Sequence, residues 1–258
     1  MRECAETWEL RLGEPYPRGA AGYAVRAELL DDTPVVLKLV WPHRETEHEA
    51  DALELWDGDG AVRLLACDDS RSAMLLERCE PGIPLSSLEP EPALDVLIEL
   101  LPRLWRPARE PFHTLVDEAA WWLEYLPRER HRAVEPWLVD AAIDALSSLA
   151  PTQGEQVLAN QDLHGDNVLA AQREPWLLID PKPLLAEREF GVAAIVRSTE
   201  LGHGKRAMLR RLDRLSSELG LDRARVRGWT IGQTIAWSGC SQYIPEHVEI
   251  VRWLLEAG

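Results

Sequence analysis

The first third of the chain alternates apolar and polar positions in short runs. Residues 8–12 and 23–29 do so around a glycine-containing turn, and Asp31-Asp32-Thr33-Pro34 interrupts the pattern before the apolar run at residues 35–40. A period of two with turn residues between runs predicts strands. The period then changes. Across residues 45–56, Ala52, Leu53 and Trp56 share one face with Glu and His opposite, which predicts a helix closed by Asp57-Gly58-Asp59-Gly60. Strand patterns return at residues 62–67 and 73–78. The predicted order is three strands, one helix and two strands, a five-stranded antiparallel sheet within residues 1–79.

Glu80-Pro81-Gly82-Ile83-Pro84 breaks this regularity and sets the expected lobe boundary between residues 79 and 80. From there to Pro151 the pattern predicts three helices. A short β region at residues 156–179 follows, and beyond Glu187 the chain reads as helical to residue 258. The expected fold is therefore α+β, a small antiparallel β lobe with one helix followed by a larger, mainly helical lobe.

Composition narrows the class. At 258 residues, with 46% apolar and 28% charged positions, the chain has the balance of a globular protein large enough for two lobes. Cys4, Cys67, Cys79 and Cys240 are widely separated, which argues against a zinc ribbon or a disulfide framework and for a reducing cytoplasm. The start, MRECAETWEL, lacks the apolar core of a secretory signal, and no apolar run is long enough to span a membrane. A net charge of −16 repels nucleic acid and anionic lipid and suits a cationic small molecule. Only three of the 28 basic residues are lysine: Lys38, Lys182 and Lys205.

Chemistry concentrates in residues 160–183. Residues 168–171 and 176–179 are equal strands around a four-residue polar loop, which predicts a hairpin pairing Ala171 with Trp176 and Val168 with Ile179. One step further, Asn167 is expected to face Asp180, close enough for both to offer oxygen to one Mg²⁺. Asp162 precedes Asn167 by five residues, the Asp-x4-Asn spacing of phosphotransferase catalytic loops. His164-Gly165-Asp166 is a rival frame, but the residue five beyond Asp166 is Ala171. The Asp162 frame is the expected one. Asx turns and loop caps are the structural alternative for each polar residue taken singly.

Lys38 lies within the apolar third strand, where a lysine can reach nucleotide phosphates. Glu45, Glu47 and Glu49 are candidate partners, and Glu49 is expected because it shares the inward stripe of Ala52, Leu53 and Trp56. Gly13, Gly19 and Gly22 flank the first turn without a clean phosphate-loop signature.

The run Gln161-Asp-Leu-His-x-x-Asn-Val-Leu-Ala-Ala, continuing through Arg173-Glu-Pro-Trp to Ile179-Asp-Pro-Lys-Pro, resembles the aminoglycoside/hydroxyurea phosphotransferases. Residues 57–65, residues 74–78 and Arg227-Gly-Trp-Thr are similar to that family too, so the resemblance covers about residues 8–235. It implies a bilobal protein-kinase-like fold, ATP with Mg²⁺, and phosphorylation of a hydroxyl on a small molecule such as a streptomycin-like aminoglycoside. It also implies roles: Asp162 as catalytic base, Asn167 and Asp180 as metal ligands, Lys38 on phosphate, and a hinge from Glu77 to Cys79 at the adenine. A monomer is expected.

Two positions depart from the family pattern. Asn160 stands where these enzymes usually carry histidine, and Gly191 follows the aromatic Phe190 where they usually carry an aspartate that anchors the catalytic loop. They leave open a nucleotide-binding pseudokinase, and a housekeeping kinase for another metabolite is a further reading. Asp162-x-His164 also fits the opening of a metallophosphoesterase, but His203 and His247 lack the contexts such a site needs. Glu118, Glu124, Glu189 and Glu256 are carboxylates of the helical lobe available to a cationic substrate.

Overall fold

The computed structural model describes residues 1–17, 22–129, 134–238 and 244–257; Gly19 and Cys240 lie outside them. The chain packs as two compact units, residues 1–85 with 167–183, and residues 86–166 with 184–258.

The first unit begins with α1 (Arg2–Thr7), followed by β1 (Arg11–Pro15), β2 (Gly22–Glu28) and β3 (Pro34–Val40). α2 (Glu49–Trp56), β4 (Leu64–Asp68) and β5 (Ala73–Glu77) complete the run. The five strands form one antiparallel sheet, as the pattern predicts, and within it β5 lies between β3 and β4 in the order β1-β2-β3-β5-β4. Residues 2–7 are helical, and β1 starts later than the pattern places it. The helix arises because Cys4 is buried against Val25, Leu37 and Ala73, and Trp8 packs there as well. Alternation gives the sheet two characters. Val25, Ala27, Val35, Leu37 and Leu75 are buried on the α1 side, while Ala24, Arg26, Val36, Lys38 and Leu76 point the other way into a cavity.

α2 is four residues shorter at its start than expected. The Thr46 hydroxyl donates to the carbonyls of Trp41 and His43, both at 3.0 Å, and residues 44–48 form turns. The stripe Glu49, Ala52, Leu53 and Trp56 is buried, and Asp57 ends the helix in the left-handed conformation at φ 46°.

In the second unit, α3 (Pro90–Leu104), α4 (Leu115–Glu129) and α5 (Pro136–Leu149) are the three expected helices. Proline sits at the first turn of α3 and α5, where its missing N–H costs nothing. β6 (Gln156–Asn160) leads into the loop that carries Asp162.

Residues 167–183 then rejoin the first unit as a hairpin, β7 (Val168–Ala170) and β8 (Trp176–Leu178). Two expectations change here. The boundary at residue 79 moves to 85, because Ala170 donates to Ile83 O at 2.9 Å and Gly82 donates to Ala170 O at 3.0 Å, tying residues 80–85 to the hairpin. The register also slips by one: Ala170 pairs with Trp176 and Val168 with Leu178. The cause is a five-residue connection, closed by Ala171 N–H on Pro175 O at 3.3 Å.

The chain returns to the second unit with β9 (Pro183–Glu187), which pairs with β6 and which the pattern did not predict. α6 (Ala193–Arg197), α7 (Lys205–Leu219), α8 (Arg223–Ser238) and α9 (Pro245–Glu256) follow. α8 is the central helix, with Val226, Trp229, Thr230, Gln233, Thr234 and Ile235 fully buried. Gly228 and Gly232 let α5 approach closely: a Cβ at Gly232 would lie 2.6 Å from Leu146 Cδ2.

Candidate active site

In the first unit, β2, β3 and β5 present one wall of a cavity of about 480 Å³. Tyr16, Arg26, Val36 and Lys38 line it, with Glu77 at the end of β5, Cys79 just beyond that strand, and Ile179 and Asp180 from the segment that follows β8. Lys38 is buried, and its ammonium pairs with Glu49 and donates to Asp180 Oδ1 at 2.6 Å. Glu49 rather than Glu45 or Glu47 is therefore the partner of Lys38. Burial alone would lower the Lys38 pKa, but Glu49 and Asp180 outweigh it and hold the amine above its ordinary value, so it stays charged.

Asp180 adopts φ 49°, in the left-handed region that aspartate tolerates. Its Oδ1 also accepts from Lys182 Nζ at 2.8 Å. Burial pushes this carboxyl up, yet Lys38 and Lys182 more than offset it and keep it below the usual carboxylate range. Two of the three lysines thus meet one oxygen. The role of Lys182 was not foreseen; its signal was the scarcity of lysine together with its place two residues after Asp180.

Asn167 does not oppose Asp180 across the hairpin. Its carbonyl accepts from Ile179 N at 2.8 Å, and Asp180 lies one residue beyond the pair. The expected facing geometry is corrected by the one-residue slip. Both side chains still offer hard oxygen donors, and Asp180 is ionised, so the donor set fits a Mg²⁺ site shared with phosphate oxygens.

At the expected hinge, the Glu77 carboxylate accepts from Arg173 Nε at 2.8 Å and Nη2 at 2.9 Å, and from Arg63 N at 3.0 Å. Burial would raise this carboxyl, but Arg173 and Arg63 bring it below its ordinary value. The Glu77 side chain is thus committed to Arg173. The Cys79 thiol, buried and near Glu77, is pushed up to about 12.

In the second unit, the loop after β6 carries Asp162. Asn160 Oδ1 accepts from Asp162 N at 3.1 Å, so the asparagine in the usual histidine position caps the loop. Arg197 Nη2 stands 4.0 Å from Asp162 Oδ1, and His164 Nε2 stands 3.9 Å from Asp162 Oδ2. Gly165 N donates to Glu200 at 3.0 Å, and Gln233 Nε2 donates to Gln161 O at 2.9 Å. Arg197, Glu200 and Gln233 lie 35 to 72 residues from their partners in the chain, and no spacing rule points to them. Asp166, from the rival frame, accepts from the Ser86 hydroxyl. At Gly191 a Cβ would sit 3.0 Å from Trp105 Nε1, so the indole occupies the space a side chain would need.

The four carboxylates proposed for a cationic substrate are engaged locally or buried. Glu118 is 1% exposed, Glu124 pairs with Arg128, Glu189 accepts from Asp222 N and Glu256 pairs with Lys205. Among the described residues no helix is long and apolar enough to cross a membrane.

A profile of the family described as aminoglycoside/hydroxyurea antibiotic resistance kinase matches residues 13–242. A streptomycin 6-kinase of Streptomyces griseus is 36% identical, over 98% of this chain and 88% of its own length. A hydroxyurea phosphotransferase of Kitasatospora aureofaciens is 38% identical, over 91% of this chain and 70% of its own. Two solved structures share the fold: a choline kinase from Streptococcus pneumoniae (TM-score 0.69, 13% identity, 99% of this chain and 95% of that one) and an aminoglycoside phosphotransferase in ternary complex with ADP and hygromycin B (TM-score 0.66, 12% identity, 99% and 95%). The fold is kinase-like and α+β, with an antiparallel sheet in one unit and helices dominating the other.

Proposed function

Since the chain belongs to the aminoglycoside/hydroxyurea antibiotic resistance kinases, we propose that it transfers the γ-phosphate of ATP to a hydroxyl of a streptomycin-like aminoglycoside. It is a small-molecule kinase of an antibiotic resistance family, and it uses ATP. The observation that carries the substrate reading is the 36–38% identity to two streptomycin 6-kinases over nine-tenths of this chain or more. The net charge of −16 favours a guanidinium-bearing acceptor over neutral hydroxyurea.

In this reading the acceptor oxygen attacks the γ-phosphorus, the bond to the β–γ bridging oxygen breaks, and ADP leaves with that electron pair. Asp162 orients the acceptor hydroxyl and takes its proton. Lys38, held by Glu49, offers its ammonium to the phosphates, while the chain from Glu77 to Cys79 borders the nucleobase. Asn167 and Asp180 would hold Mg²⁺, which supplies positive charge against the phosphate oxygens. The protein's work is alignment and charge neutralisation rather than covalent chemistry.

The test is ADP release with streptomycin, a neutral sugar and hydroxyurea as acceptors, with wild type, Asp162→Ala and Asp166→Ala. Streptomycin is expected to be the best acceptor. Asp162→Ala should lose on the order of 10²-fold or more in turnover with ATP affinity nearly intact, and Asp166→Ala much less. An inert Asp166→Ala beside an active Asp162→Ala would move the base to the rival frame; turnover with hydroxyurea alone would replace the aminoglycoside.

A further inference from the structure

With Gly191 bearing no side chain, position 191 cannot hold the loop that carries Asp162. Another group does so. Gln233 at the centre of α8 is fully buried, and its amide works in both directions. Its nitrogen donates to Gln161 O at 2.9 Å, one residue before Asp162, and its oxygen accepts from Arg197 Nη1 at 2.7 Å. The other arm of the same guanidinium, Nη2, faces Asp162 Oδ1 at 4.0 Å. Arg197 is 5% exposed and lies over the Trp237 ring, 4.7 Å from its centroid.

The backbone that bears Arg197 is fixed in turn. Arg211 donates to Val196 O at 3.1 Å, to Leu201 O at 2.8 Å and to Gly202 O at 2.6 Å, closing the turn between α6 and α7. A planar guanidinium can bind an amide with one arm and face a carboxylate with the other; an ammonium on a flexible stem cannot hold both in one plane. Gln233 and Arg197 thus reach the loop twice, through the backbone before Asp162 and through its carboxylate.

We infer that Arg197 is a positioning residue for phosphoryl transfer, braced by Gln233 and acting through the Asp162 carboxylate. This rests on Asp162 being the base. The brace fixes the direction of the carboxylate and balances its charge, and so aligns the acceptor hydroxyl without touching ATP.

The test is a double-mutant cycle in kcat, built from wild type, Arg197→Met, Asp162→Asn and the pair, with streptomycin and ATP. Arg197→Met should lower kcat by about tenfold or more with the KM for ATP within about twofold, yet cost less than about threefold once Asp162 is asparagine. Arg197→Lys, which keeps the charge and loses the fork, should fall between wild type and Met. It carries the same cycle should the Met variant fail to fold. An equal loss in both backgrounds, an unchanged kcat, or a loss confined to the KM for ATP would overturn the assignment of Arg197. A fully active Asp162→Asn would instead remove the base, and the proposal with it.

Discussion

At Asp180, Lys38 and Lys182 donate to the same carboxylate oxygen at 2.6 and 2.8 Å. Removing that negative charge leaves two buried ammonium groups without their shared counterion and takes away the anionic donor expected for the metal. Asp180→Asn should therefore raise the Mg²⁺ concentration for half-maximal rate by about tenfold or more. A Mg²⁺ titration of the initial rate measures this, and an unchanged curve would remove Asp180 from the site. His247 presents a different kind of charge problem. Burial, and then Arg197, lower its pKa to about 4, with Glu200 and Glu246 opposing them and His164 adding a small push in the same direction. An unfolded chain protonates this histidine near its ordinary value of about 6.5. Its folded pKa being the lower one, stability is complete above about pH 6.5 and declines as the pH falls from there toward about 4. His247→Leu should flatten that decline, read as Tm against pH between 7 and 5; an equally steep acid loss in the variant would point to other groups.

Elements depend on such residues for their register. Arg173 leaves the β7–β8 connection to bind the Glu77 carboxylate, Gly58 O at 2.7 Å and Ala61 O at 2.9 Å, pinning the hairpin to β5 and to the turn after α2. Each partner in the ion pair is about one-fifth exposed, so solvent screens part of its strength. Arg173→Ala should cost about 2 kcal/mol in urea unfolding, mostly from leaving Glu77 without its paired guanidinium and two carbonyls without that donor. A cost under about 0.5 kcal/mol would show that the tether is dispensable. The same residue explains what the sequence could and could not disclose. The succession of strands along the chain and the buried stripe of α2 follow from periodicity within each element, and the Lys38–Glu49 pair follows from setting that stripe beside a lysine in an apolar strand. The hairpin register does not: residues 171–175 form a five-residue connection, and Arg173 within it reaches a partner 96 positions away. α1 and β9 escaped for a like reason, since Cys4 is buried on a distant sheet face and β9 forms by pairing with β6. The loop around Asp162 was legible, whereas Arg197, Glu200 and Gln233 became visible only when the helices were packed.

For the molecule as a whole, the charge of −16 sets a field that concentrates cations and repels anions. Salt shortens its reach to about 10 Å at 0.1 M and about 3 Å at 1 M. The KM for a guanidinium-bearing acceptor should accordingly rise several-fold between about 0.02 and 0.5 M NaCl, while that of a neutral acceptor stays level. Equal responses from both acceptors would show that long-range attraction plays no part in capture.

The first unit is discontinuous: its sheet is complete by Glu77, but its second segment, which carries the hairpin and Asp180, is not spelled out until residue 183. A ribosome making about 5–20 residues per second needs on the order of 5–20 seconds to travel from Leu85 to Pro183. For that interval Lys38 and Glu49 already exist, but Asp180, Lys182 and Arg173 do not. The nascent sheet therefore waits with the cavity side of β3 and the Glu77 carboxylate still in water. The charge cluster closes only after most of α3, α4 and α5 has emerged, so a ribosome stalled anywhere between these points leaves a protein in which Lys38 lacks Asp180 and Lys182 beside it, however well its sheet has folded.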